Sequence, residues 1–457
     1  MSWQEITSGL WQRPIGENEA MIKTIGDGGR RFGKDVWSIS VTASISMHVD
    51  KCPVEMLRDG WKGLRFQHPS IAAVAGAGNN VLEYRVPSLE TLEHWASETF
   101  VVVDGDVDVD DVIAGLGRRR FATLYYIPKK ASLVLHLSHW RTDGIGAFYL
   151  LDAYFRTVTG LGSQHQPDSL AWGEEPTRLV PSVEQALQLP SQPTLDIEAA
   201  ANRYLGTVTH AVGALPTWRG PSDQPSLLPR DTRNAHLQFG EDETQQLQTQ
   251  CRRLEISLEA AIHASVTAAA YSIADPAVRH THHTTTMRQS LRPHLPPPYH
   301  EAAGAAGLYT AGYMVKVPCT QSWWENARQY DAEYRKGATP DLLCSRRFYA
   351  SVMTDRLKNA APAPRAPPSG LDVSWVPNVA GLVQPEYGVE TCSLQVNRIS
   401  IGVDVTSRQM YVFMWLFKGR LEWRLVYNDA FYDGALADRI LSVVREHLLL
   451  NLTKLHP

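Results

Sequence analysis

Residues 132–158 read SLVLHLSHWRTDGIGAFYLLDAYFRTV, and the sequence changes period within them. From Ser132 to His139 apolar and polar side chains alternate as in a half-buried strand. Leu133, Leu135, Leu137 and His139 then share one face, and Val134, His136 and Ser138 the other. From Gly144 to Val158 the apolar spacing is that of a helix. The pattern puts His139 at the last position of a strand, ahead of the turn WRTDG. A strand end beside a helix start holds a side chain more firmly than a mobile loop does. Imidazole titrates near about 6.5, so much of it is neutral at pH 7 and can take a proton from an alcohol or amine. Asp143 can pin the turn by accepting N–H groups at the helix start, and Gly144 can let a chain or substrate pass close by. The same residues also suit an ordinary Asp-Gly turn after a strand, so the rest of the chain has to decide.

The rest of the chain mixes the same two periods. VWSISVTASISMHV (36–49) alternates as a strand, and SLEAAIHASVTAAAYSIA (257–274) is an alanine-rich helix with Ser257 as N-cap. SLQVNRISIGVDV (393–405) reads as a strand, residues 409–428 as a long hairpin, and GALADRILSVVREHLLLNL (434–452) as an amphipathic helix. Proline-rich polar stretches at 163–196, 214–233 and 361–370 break the pattern. We expect an α+β chain of two similar halves, 1–195 and 236–457, joined by a crossover linker over 196–235.

Several function classes fall away on composition. A formal charge of −4 over 457 residues supplies no basic field for nucleic acid or an anionic membrane. The first thirty residues lack an apolar core of the secretory kind, and no run reaches the roughly 18 apolar residues of a membrane span. We therefore expect a cytoplasmic protein. Cys52, Cys251, Cys319, Cys344 and Cys392 are scattered, odd in number and without a CxxC, which supports neither a disulfide framework nor a zinc site. HTHH (280–283) has the imidazoles of a metal site but no carboxylate or thiol at ligand spacing, so a strand surface or pocket lining is expected there. No GxSxG, P-loop, strand-linked GxGxxG or HExxH occurs.

The order strand, His139, three residues, Asp143-Gly144, helix resembles the active-site motif of the chloramphenicol acetyltransferase-like superfamily. That superfamily includes the plant-type BAHD acyltransferases, the condensation domains of peptide synthetases and the fungal trichothecene O-acetyltransferases. Other segments follow in the same order. WQRPIGENE (11–19) looks like the family's opening segment, and LRDGWKGLRFQHPSI (57–71) resembles its helix ending in His-Pro. MRQSLRPHLPPPY (287–299) looks like the R-x-R segment with its proline-rich turn, and LDVSWVPNVAGLV with the closing hairpin and helix occupies the place of the last strands. The trichothecene 15-O-acetyltransferase type is the nearest in pattern. The chain departs from the family in two places. Ser138 stands where condensation domains carry a first histidine, and the DFGWG motif of BAHD enzymes is absent.

The resemblance implies two chloramphenicol acetyltransferase-like α/β sandwich halves with a tunnel between them and His139 at its middle. It implies acyl transfer from acetyl-CoA or another acyl-CoA to an alcohol of a secondary metabolite, with His139 as general base and no permanently bound cofactor. Asp143 would be structural and pair with Arg288, with Arg292 as the substitute. Ser138, Trp375 and Asn378 are candidates for tunnel lining or for donors to an oxyanion, although turn or core roles fit them as well. The expected partners are a small-molecule acceptor and an acyl-CoA, with a thioester on a separate carrier protein as a second form of donor. No heptad pattern or charge bias argues against a monomer. Two other readings keep the fold: a cyclase or isomerase that uses the same tunnel and histidine, and a non-catalytic binding member.

Overall fold

The strand that carries the motif, Ser132–Leu137, lies inside a six-stranded sheet and is buried on both faces. The computed structural model describes residues 2–49, 52–78, 80–160, 167–217, 227–359, 369–376 and 379–453. The sheet runs in the order Glu386–Val389, Cys392–Val403, Ile39–Val49, Ser132–Leu137, Thr123–Ile127, Phe100–Val102. On one face Leu133, Leu135 and Leu137 join a core with Leu57 and Trp61 of helix Pro53–Gln67 and Phe148 and Leu151 of helix Gly144–Gly160. On the other, Val134 packs with Ile113, Leu116 and Ile127 in a smaller cluster. Alternation thus marked the two faces correctly, but both are covered, where one was expected to be open. The cover on the second face is the short helix Val109–Ala114, which has no apolar run long enough to stand out in sequence.

A second sheet has the order Ser369–Val376, Arg408–Phe417, Arg420–Asn428, Thr232–Gln238. The hairpin at its centre turns through Lys418 and Gly419, with φ of 48° and 72°. Two successive positive φ values match the right-handed twist of the strands on either side, which is why a glycine stands there. Helices Leu258–Ile273 and Gly434–Thr453 supply Ala260, Ala264, Ile440 and Val444 to the core against Met410, Val412, Trp423 and Leu425. Ser257 caps the first of these helices, its hydroxyl accepting from the Ala260 N–H at 3.4 Å. A two-stranded ribbon, His282–Ser290 with Thr310–Pro318, and a small sheet built from Gln4–Thr7, Leu10–Pro14, Val81–Arg85 and Val74–Ala75 complete the strands.

The pairing of strands crosses the boundary read from the proline-rich breaks. Cys392–Val403, far into the second half, pairs antiparallel with Ile39–Val49 from Cys392 opposite Val49 to Val403 opposite Ile39. The stretch 196–235 is also more than a linker. Helix Leu195–Thr207 begins at the Thr194 cap and sets Ala201 and Leu205 against Met21, Tyr349 and Ala350. Most of APAPRAPPSG lies outside the described residues, apart from Ser369 and Gly370, which open a strand.

Candidate active site

The loop that carries His139 starts where the strand ends. Beyond Leu137 the chain turns, with the Arg141 N–H donating to the Ser138 carbonyl at 3.0 Å, so His139 is not the last residue of the strand, as the alternation suggested, but lies half-buried in the turn two residues past it. Its Nδ1 lies 3.0 Å from the carbonyl oxygen of Thr142. A carbonyl only accepts, so this bond fixes the Nδ1–H tautomer and leaves the ring's lone pair on Nε2. Burial holds the His139 pKa below the usual histidine value. The Thr142 bond and the Asp143 charge act in the opposite sense, and Arg288 adds to the lowering. The ring is therefore neutral at pH 7, as a proton acceptor must be.

Asp143 faces away from this ring and into the second half. Its Oδ1 accepts the Gly146 N–H at 2.8 Å, which pins the first turn of helix Gly144–Gly160, and its Oδ2 accepts the Tyr309 N–H at 2.9 Å. Its ion-pair partner is Arg292, at 3.1 Å, and both side chains are buried. Arg292 also donates to the carbonyls of Gly304 at 3.1 Å and Gly307 at 3.2 Å, so all of its reach is used in this corner. Gly146 makes the closeness possible. A Cβ there would lie 2.2 Å from the Ala305 carbonyl oxygen and 2.7 Å from Arg292 Nη2.

The expected pairing of Asp143 with Arg288 is corrected by this arrangement. Arg288 lies on strand His282–Ser290, beside the neighbouring strand Ser369–Val376, and its Nη2 is 2.8 Å from Asp372 while Nη1 donates to the Val373 carbonyl at 2.6 Å. Burial alone would raise the Asp372 carboxyl. The Arg288 charge, with hydrogen bonds from Thr285 and Thr286, outweighs it and holds the pKa down at about 2. Arg292 follows the strand, in a short 3₁₀ turn, and it is this turn that meets Asp143 in the loop after His139. Arg288 stays close enough for its charge to act on His139, and its guanidinium lies 5.5 Å from the centre of the Tyr411 ring. The Tyr411 hydroxyl accepts from Trp37 Nε1 at 2.9 Å, and Trp37 holds a left-handed φ of 67°.

The remaining candidates separate by their contacts. Ser138 lines a cavity beside the loop, but its hydroxyl donates to Asp35 Oδ2 at 2.6 Å and so is committed away from an oxyanion. Gly144 is packed by protein, since a Cβ there would sit 3.2 Å from Ile401 Cδ1. Trp375 packs on the second core and does not line that cavity, while Asn378 lies outside the described residues. His136 is bonded to the Gly117 carbonyl at 3.2 Å and pushed by burial down to about 4. In HTHH, His282 and His283 bond the carbonyls of His210 at 2.8 Å and Leu371 at 3.0 Å. Among the described residues no cluster of three metal-ligating side chains occurs. No helix among them is long and apolar enough to cross a membrane.

The cavity has a volume of about 340 Å³ and reaches the loop that carries His139 at Ser138, Trp140 and Thr142. Arg141 also lines it, together with Lys23 and the run Arg118–Arg119–Arg120. Composition hid these residues. Arginine ordinarily reads as surface, and the one visible signal was three consecutive arginines in a chain of negative net charge.

The chain is 39% identical to the acetyltransferase pigO of Monascus ruber, over 99% of its own length and 98% of the relative's. It belongs to the chloramphenicol acetyltransferase-like acyltransferases. The O-acetyltransferase pigM of Monascus ruber is 27% identical over 98% of this chain and 87% of its own. Among solved structures, the TRI3 trichothecene 15-O-acetyltransferase of Fusarium sporotrichioides superposes with a TM-score of 0.80. It is 14% identical and covers 98% of this chain and 96% of its own. No family model matches the sequence. The fold is the mixed α+β, two-lobed arrangement of this superfamily, and the protein is an acyltransferase.

Proposed function

We propose that the protein transfers an acetyl group from acetyl-CoA to a hydroxyl of a secondary metabolite, with His139 as the general base. The observation that carries the reading is the orientation of one ring. His139 is neutral, its Nδ1–H is spent on the Thr142 carbonyl, and among the described residues no hydrogen bond occupies Nε2. In the proposed step Nε2 takes the hydroxyl proton as the oxygen attacks the thioester carbonyl. The tetrahedral adduct then expels the sulfur as the C–S bond breaks. The proton held on Nε2 passes to the leaving thiolate, giving an ester and free coenzyme A. Asp143 supports the step from behind by fixing the loop through Arg292, Tyr309 and Gly146, and touches no reacting atom. The names of the relatives support acetyl transfer and hydroxyl acceptors.

The test is release of free thiol from acetyl-CoA across a panel of alcohol metabolites, for wild type and His139→Ala. Acceptor-dependent release that falls by about 100-fold or more in the folded variant is the expected outcome. Equal turnover by the two proteins would remove His139 from the chemistry.

A further inference from the structure

The cavity beside the loop that carries His139 collects more positive charge than the carboxylates facing it balance. Arg119 and Arg120 stand exposed at its rim. Arg119 donates to the Tyr125 hydroxyl at 2.9 Å and Arg120 lies over the Phe121 ring, and among the described residues neither has an acidic partner. Arg141 lies deeper, its side chain 13% exposed. It donates one N–H to the Ser70 carbonyl at 3.2 Å and leaves Nε and Nη1 buried without a hydrogen-bond partner. The Glu19 carboxylate, 3.8 Å away, is already held at 2.7 Å by both terminal nitrogens of Arg13. Lys23 and Arg118 share the single carboxylate of Asp27. Burial draws the Arg141 pKa down to about 10, as happens when a charge is poorly compensated by its own protein.

Such a grouping does not follow from composition in a chain of net charge −4. Guanidinium groups with free N–H forks match the oxygens of phosphates and carboxylates. Ile71, Leu137, Leu150 and Ala306 also line the cavity, which meets the loop that carries His139 at Ser138, Trp140, Arg141 and Thr142. We infer that the cavity is a substrate pocket for a molecule whose phosphate or carboxylate meets the arginines and whose apolar part lies against Ile71, Leu137, Leu150 and Ala306. The inference rests on the acyl-transfer reading only in making that molecule one of the two substrates. The phosphates of coenzyme A and a carboxylate on the acceptor offer the arginines the same oxyanion.

Calorimetric titration at low salt with inorganic pyrophosphate, coenzyme A and octanoate tests this on wild type, Arg119→Gln/Arg120→Gln, Arg141→Gln and Arg141→Lys. The expected result is pyrophosphate binding that weakens about tenfold in the two glutamine variants and less in Arg141→Lys. Parallel loss of coenzyme A affinity assigns the pocket to the donor, and parallel loss of octanoate affinity to the acceptor. No binding of any of the three anions to wild type, or equal affinities in all four proteins, would overturn the pocket. Failure of the acyl-transfer reading looks different: pyrophosphate still binds through the arginines, and no acetyl group is transferred. Acetyl transfer with an unchanged KM for both substrates in the glutamine variants keeps the reading and removes the pocket.

Discussion

Asp143 and Arg292 form a buried ion pair at 3.1 Å that ties the turn after strand Ser132–Leu137 to the second half of the chain. Removing one partner leaves the other charged, buried and uncompensated. Asp143→Asn and Arg292→Ala should each cost about 3–5 kcal/mol of stability, and Arg292→Lys should recover little of it, because one ammonium cannot serve the carboxylate and two carbonyls together. Chemical unfolding midpoints measure this. Variants as stable as wild type would show that the pair does not organise the loop.

Gly146 and Gly206 offer a matched contrast. Both are helical, but a Cβ at Gly146 meets the Ala305 carbonyl, the Thr142 hydroxyl and Arg292, whereas at Gly206 nothing lies within 4 Å. Gly146→Ala should destabilise by at least about 1–3 kcal/mol through overpacking, and should lower activity by displacing the loop. Gly206→Ala should be neutral or stabilising by up to about 1 kcal/mol. Thermal melts of the two variants would show opposite signs, and similar melts would contradict the packing assigned to Gly146.

Ser138 is a test of whether its hydroxyl serves the reaction. Because it donates to the buried Asp35, whose pKa burial raises, Ser138→Ala should cost about 1–3 kcal/mol of stability and leave kcat nearly unchanged. Loss of an oxyanion donor would instead lower kcat by about 100-fold or more. Measuring kcat alongside the unfolding midpoint separates the two roles.

Acid should affect catalysis and stability through the same physics. Burial lowers the His139 pKa, so the acidic limb of kcat/KM should lie below the ordinary histidine value of about 6.5. Arg288→Met should move that limb upward, because a nearby positive charge is removed. His68 and His136, each held down to about 4, and His263, at about 3, are also buried in neutral form. In the unfolded chain these rings take up protons once the pH falls below about 6.5, and in the folded chain only well below that. Their stabilisation is present above about pH 6.5 and is lost as the pH falls through the folded values. Urea midpoints should hold near pH 7–8 and decline steadily toward pH 4, and a flat profile would mean that these rings are less enclosed than described.

Sequence alone determined the features that depend on neighbours along the chain. The change from alternation to helical spacing around His139 located the strand, turn and helix, and Asp143 was placed to accept at the helix start, where Gly146 now donates. The Ser257 cap and the hairpin over 409–428 were legible for the same reason, since caps and hairpins are set by local backbone geometry, although the turn at Lys418-Gly419 was located only in the structure. Tertiary structure decided which arginine meets Asp143. Arg288 and Arg292 are both near in sequence, and only the docking of strand Ser369–Val376, with Asp372 on it, takes Arg288 out of reach. It also decided that Cys392–Val403 completes the first sheet, a pairing across some 350 residues that no local period can encode. The arginine-lined cavity arises in the same way. Arg118–Arg120 and Arg141 come from separate loops, and only close packing of those loops leaves the Arg141 guanidinium buried with N–H groups unmet. Hydrogen-bond and charge balance is a property of the assembled surroundings, and that is why it could be read only after the chain had folded.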